Sequence, residues 1–150
     1  MQLSKNFYLD EFLFSQTAAR HNIDITPPQC VIDNLKKLTS DVLQPLRDGL
    51  GCSIKITSGY RPLELNRKLG SKDSSAHVDG RAADIKVNGK TPLEVAEFIE
   101  EHFLSSVDQV IHEFGSWVHV GIAPQARSQM LTAKYNAAGK VVYIDGLLEA

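Results

Sequence analysis

Val107-Asp108-Gln109-Val110-Ile111-His112-Glu113-Phe114-Gly115-Ser116-Trp117-Val118-His119-Val120-Gly121-Ile122 reads as two strands, Val107 to Glu113 and Ser116 to Ile122, joined by a tight turn at Phe114-Gly115. Successive side chains of a strand point to opposite faces, so Trp117, His119 and Gly121 share one face while Val118 and Val120 share the other. The valine face belongs to a core. His119 faces whatever the other side covers.

Working outward, Ser53 to Ser58 alternates polar with β-branched residues as a half-buried strand does, and Asp84-Ile85-Lys86-Val87 reads as the next strand. Met130 to Ile144 forms a second hairpin that turns at Asn136 to Gly139. Helical patterns fill the earlier part of the chain. Phe7 to His21 carries Leu9, Phe12, Leu13 and Ala18 or Ala19 near a 3.6-residue period, which predicts an amphipathic helix ended by Asn22-Ile23-Asp24. Thr26 followed by Pro27 and Pro28 is an expected N-cap with proline in the first turn. From there Val31, Leu35, Leu38, Val42 and Leu46 mark one stripe, up to Gly49 and Gly51. Pro62 to Leu69 suits a short helix closed by Gly70, and Thr91-Pro92-Leu93-Glu94 carries a capping box that opens a helix to about Phe103. Helices cluster early and strands pair late. The expected fold class is α+β, with a small, mainly antiparallel sheet and the N-terminal helices packed on one side of it.

A chain of 150 residues with 43% hydrophobic content suits one domain, 1–150, with a real core. The net charge of -2 and a pI near 6.2 give no electrostatic footprint for nucleic acid, and no basic run suggests an anionic membrane surface. No apolar run approaches the ~18 to 20 residues of a spanning helix. Met1 to Phe7 lacks a basic region followed by an apolar stretch, so the chain is expected to be soluble and made in the cytoplasm without a signal peptide, as a monomer. Cys30 and Cys52, far apart, are expected to be small core residues, neither metal ligands nor a disulfide.

The residues that carry chemistry are Ser75-Ala76-His77-Val78-Asp79-Gly80-Arg81-Ala82-Ala83-Asp84 and Trp117-Val118-His119-Val120. Two imidazoles and a carboxylate make a three-ligand zinc set, which leaves a coordination position open. Taken singly, a histidine in a β-rich segment reads as a core or surface residue and an aspartate at a strand start as a turn residue. Asp79 is an alternative to Asp84, although Asp79-Gly80 reads as a turn pair.

Jointly, Ser58-Gly59-Tyr60-Arg61, the Ser75 to Asp84 block and Trp117-Val118-His119-Val120 resemble the zinc D-Ala-D-Ala carboxypeptidase family over about Phe7 to Ile122. That family includes the L-alanyl-D-glutamate endopeptidases of tailed phages and is similar in fold to the signalling domain of hedgehog proteins. The resemblance implies a hedgehog-like α+β fold, a Zn2+ cofactor held by His77, Asp84 and His119, and the peptidoglycan stem peptide as substrate. It implies that Arg61 binds a substrate carboxylate, since a guanidinium grips a carboxylate through two parallel hydrogen bonds. Ser75 would donate to the substrate backbone, or else stabilise its own turn. Some members carry a carboxylate three residues before the last ligand, where this chain has Ser116; Glu113, six residues before His119, takes its place as general base, with His112 and Asp108 in reserve. Trp117 is a cleft wall or a core residue. The 2-His-1-carboxylate set also serves non-haem iron; zinc is preferred because nothing in the chain signals redox chemistry. The implied activity is zinc-dependent carboxypeptidase or endopeptidase cleavage of peptidoglycan in phage or prophage lysis, reaching the cell wall after holin-mediated release. The alternative is a catalytically inactive zinc-containing binding or phage structural domain.

Overall fold

The computed structural model describes residues 1–149. A small antiparallel hairpin, β1 (Gln2–Ser4) and β2 (Phe7–Tyr8), leads into a 3-10 turn at Leu9–Phe12 and a short helix, α1 (Gln16–Arg20). The single helix expected over Phe7 to His21 is therefore broken, and the reason is tertiary. The Phe12 carbonyl accepts from the Tyr60 N–H at 2.8 Å, so it is not free for a helical ladder, and Ser15 restarts the chain by capping the Ala18 N–H at 3.1 Å. Leu9, Phe12 and Ala18 are nonetheless buried, as the periodicity required, while Leu13 is only half-buried.

α2 (Gln29–Leu38) begins after Pro28, not after Thr26, whose N–H and hydroxyl are both held by the Asp24 carboxylate. It runs on through a π-helical turn, Thr39–Leu43, into α3 (Gln44–Leu50). The wider turn lies just before Pro45, which has no N–H to give: the ladder shifts register as the Gln44 N–H donates to Thr39 O. Leu35, Leu38, Val42, Leu43 and Leu46 along this rod are fully buried, each stabilising the fold by about 1.5–3 kcal/mol. Cys30 is exposed and Cys52 half-buried, and both are free thiols; position 30 falls on the outer face of α2, so the core role expected for it is not taken up.

The remaining strands make one sheet. β3 (Ile54–Ser58) is followed by α4 (Leu63–Lys68), then β4 (Ala82–Val87), α5 (Pro92–Phe103), β5 (Gln109–Glu113), β6 (Trp117–Gly121), β7 (Gln129–Tyr135) and β8 (Val141–Asp145). The order across the sheet is β3-β4-β6-β5-β7-β8, antiparallel throughout except for the parallel pair β5 and β7. Thr91 and Glu94 cap α5 reciprocally, the Thr91 hydroxyl accepting from the Glu94 N–H at 3.1 Å and the Glu94 carboxylate from the Thr91 N–H at 2.9 Å. Ala83, Ile85, Val87, Val110, Val118 and Val120 pack with the helices as one core. The opposite face of β4, β6 and β5 carries Asp84, His119 and Glu113. Among the described residues no helix is long and apolar enough to cross a membrane.

Candidate metal centre and active site

Antiparallel pairing of β4 with β6 sets Asp84 directly opposite His119, with both side chains on the face away from the core. His77 comes from outside the sheet. It sits on a 3-10 turn, Ala76–Asp79, started by Ser75, whose hydroxyl accepts from the His77 N–H at 3.3 Å. Gly80 closes the turn at φ 72°, a left-handed conformation, and a Cβ there would lie 2.8 Å from Val31 Cγ1. The His77 carbonyl is tied to the Arg61 N–H at 3.0 Å. His77, Asp84 and His119 are all buried, and one donor atom from each lies within 4.8 Å of the others.

The donor set fits a cation. His77 Nδ1 lies 2.8 Å from the Gly59 carbonyl, which can only accept, so Nδ1 carries the ring proton and Nε2 presents its lone pair. Burial lowers the His77 pKa and so opposes a second proton, against the pull of the neighbouring Asp84. Yet Nε2 stands 3.2 Å from Asp84 Oδ1, itself an acceptor, and the same oxygen is 3.1 Å from His119 Nδ1. Two lone pairs facing each other at that distance are relieved by a cation between them. The carbonyl that fixes the ring is also the usual outer-shell partner of a metal-ligating imidazole. It can approach because position 59 is glycine: a Cβ would come within 2.6 Å of the Phe12 backbone.

Asp84 is kept ionised. Burial opposes its charge, but the His119 ring, 3.1 Å from Oδ1, and the Arg61 guanidinium on Oδ2 favour the anion. Arg61 Nη2 lies 3.2 Å from Asp84 Oδ2, and its Nε donates to the Ser58 hydroxyl at 2.9 Å. Ser58 reaches this face because the β3–β4 register slips between Ile56 and Ser58, a bulge that sets Ser58 opposite Asp84. Part of the Arg61 fork is thus spent on the aspartate. The rest borders a cavity of about 330 Å³ lined by Phe14, Ser15, Thr17, Ser58, Tyr60 and Leu65 among others.

Glu113 pairs with Trp117 across the β5–β6 hairpin, on the His119 face. Desolvation, reinforced by the Asp84 charge, pushes its carboxyl up to about 7. The Trp117 indole exerts a small opposite pull, but its buried N–H completes no hydrogen bond of good geometry. The two reserve bases are engaged elsewhere: His112 Nδ1 meets the Leu148 carbonyl at 2.9 Å, and Asp108 is clasped by Arg127 at 2.9 Å. Ser116 lies exposed in the hairpin turn, and Asp79 points to solvent, 3.6 Å from Arg81. Ser75 serves its own turn, with its hydroxyl proton still to donate. Sequence reasoning assigned no role to Ser58 or Gly59, although the Ser58 to Arg61 block was visible; their roles depend on a bulge and a backbone contact that composition does not encode.

A search of curated proteins returned no match. A family model described as Peptidase M15 matches residues 5–121, a span that contains all of the residues gathered on this face from Arg61 to His119. That match covers well over half of the sequence and agrees with a buried His-Asp-His group suited to a metal, so the chain belongs to the peptidase M15 family.

Proposed function

We propose that the protein is a zinc-dependent peptidase that hydrolyses a bond of the peptidoglycan stem peptide, of the D-Ala-D-Ala carboxypeptidase or L-Ala-D-Glu endopeptidase type, in phage or prophage lysis. The observation that carries this reading is the convergence of His77, Asp84 and His119 on the sheet face that also carries Glu113. His77 would contribute Nε2, His119 Nδ1 and Asp84 Oδ1 as the three protein ligands, the number that leaves a position open for catalysis. When bound, zinc supplies Lewis acidity, bringing the pKa of a water it holds down to about 7 and polarising a carbonyl.

The chain's own residues do the rest. Glu113, on the same face as the three ligands, takes a proton from the attacking water on its carboxylate and returns it to the leaving nitrogen. Arg61 fixes Asp84 through Nη2, and its remaining N–H groups, bordering the cavity, hold a substrate carboxylate so that the scissile bond lies over the three ligands. The Ser75 hydroxyl donates to the substrate backbone. Zinc suits two imidazoles and one carboxylate, and the fold similarity to hedgehog signalling domains belongs to the same reading. Incubating the zinc-loaded protein with purified peptidoglycan and sizing the released fragments by mass spectrometry tests it. New termini within the stem peptide are expected; intact stem peptides would overturn the substrate assignment.

A further inference from the structure

β7 and β8 lie beyond residue 121, outside the family match, and they extend the sheet on the Glu113 side. β5 pairs in parallel with β7, and β7 antiparallel with β8, so Glu113, Ala133 and Tyr143 form one row across three strands on one face. The Tyr143 phenol is raised by partial burial and by the Glu113 charge, which places it within electrostatic reach of that carboxylate. Tyr135 sits diagonally from Tyr143 on the same face and stacks on Phe114, ring centroids 4.7 Å apart and planes at 23°. Phe114 in turn meets Trp117 at 5.7 Å. Phe114 holds φ at 57°, an unfavourable value for an aromatic residue, while its N–H donates to the Ala133 carbonyl at 2.9 Å. Tyr135 and Tyr143 are 61% and 60% exposed. A run of aromatic rings thus leads from Glu113 to the sheet edge, with one face of Tyr135 covered by Phe114.

We propose that this aromatic row is a saccharide-binding subsite, which takes a pyranose ring of the glycan strand attached to the N-terminal side of the scissile bond. The inference rests on the stem-peptide reading above and deepens it. A pyranose chair offers C–H groups on a flat face and hydroxyls around its rim, which suits a stacked aromatic surface edged by tyrosine hydroxyls. On β5, β7 and β8 this face carries two acids, Glu113 and Asp145, and no cation, which favours a neutral, hydroxyl-rich ligand over an anion. The layout gives the substrate a direction: its carboxylate side at Arg61 and the cavity on the β3 side, its sugar side toward β7 and β8. Strands spaced by about 4.8 Å put β7 roughly 10 Å from β6.

Two measurements on the full zinc-loaded chain test the subsite. In the first, binding of an N-acetylglucosamine tetrasaccharide is titrated by NMR for wild type, Tyr135→Ala and Tyr143→Ala, with thermal melting to verify folding. In the second, kcat/KM is compared for a stem peptide carrying its disaccharide and the same peptide without sugar. Wild type should bind the tetrasaccharide and prefer the glycosylated peptide, and either variant should lower both the affinity and that preference by at least about fivefold. No binding up to about 10 mM, or a preference unchanged in both variants, overturns the subsite. If the tetrasaccharide binds and the variants lose it while neither peptide is cut, the subsite stands and the peptidase reading falls.

Discussion

Replacing Glu113 with glutamine should stabilise the metal-stripped protein at alkaline pH while removing its activity when zinc is restored. The fold favours the protonated carboxyl: Glu113 titrates at about 7 instead of the ordinary 4.5, because burial and the Asp84 charge disfavour its anion. Between these values the native state holds a proton that the unfolded chain has released, so stability falls as pH rises from about 4.5 to about 7 and the loss is complete above it. At about 1.4 kcal/mol per tenfold difference in proton affinity the ceiling is about 3.4 kcal/mol, and solvent screening of a half-buried group brings this to about 2 kcal/mol. Glutamine keeps the shape without the charge and escapes the penalty. In chelator, urea or thermal unfolding of both proteins at pH 4 and pH 8 should give equal stability at the lower pH and a melting temperature about 6 °C higher for Glu113→Gln at the upper. Other titrating groups are common to the two proteins and cancel in the difference. With zinc, the same variant should lose about 10²- to 10⁴-fold in turnover, the usual loss when a general base is removed. Equal stability at pH 8, or a less stable variant, would refute the claim that Glu113 is held above its ordinary range.

Gly59→Ala drives a Cβ to 2.6 Å from the Phe12 backbone, which cannot give way as a flexible side-chain tip would; we expect a loss of at least about 3 kcal/mol in denaturant unfolding and a weaker metal site, because the carbonyl that orients His77 moves. Arg61→Lys keeps the charge but loses the fork that holds Ser58 and Asp84; if that fork also takes a substrate carboxylate as proposed, KM for the stem peptide should rise by about tenfold or more, and wild-type kinetics would contradict its placement. Chelation of zinc-loaded protein should lower the melting temperature and abolish hydrolysis together, both recovering on zinc addition; activity that survives chelation would exclude a metal role.

How much of this was legible in the chain depended on how local the cause was. The β5–β6 hairpin and the α5 capping box rest on neighbours in sequence, and both formed where alternation and Thr91-Pro92-Leu93-Glu94 placed them. Phe7 to His21 shows the limit: Leu9, Phe12 and Ala18 are buried as their spacing demanded, but a remote partner, the Tyr60 N–H, takes the Phe12 carbonyl and breaks the helix. Cys30 was misplaced because small size argues for burial only if the residue falls on the inner face. His77, Asp84 and His119 were identifiable by motif, whereas Ser58 at a bulge and Tyr143 on the far edge of the sheet depend on register, which only strand pairing fixes.

The central claim is that His77, Asp84 and His119 hold one divalent cation between them. Zinc-edge X-ray absorption on protein loaded with one equivalent tests it most directly. Two imidazole nitrogens with oxygen donors at about 2.0–2.2 Å, falling to one imidazole in His119→Ala, is the predicted spectrum. A sulfur scatterer, a third imidazole, or a spectrum unaltered by His119→Ala would contradict it.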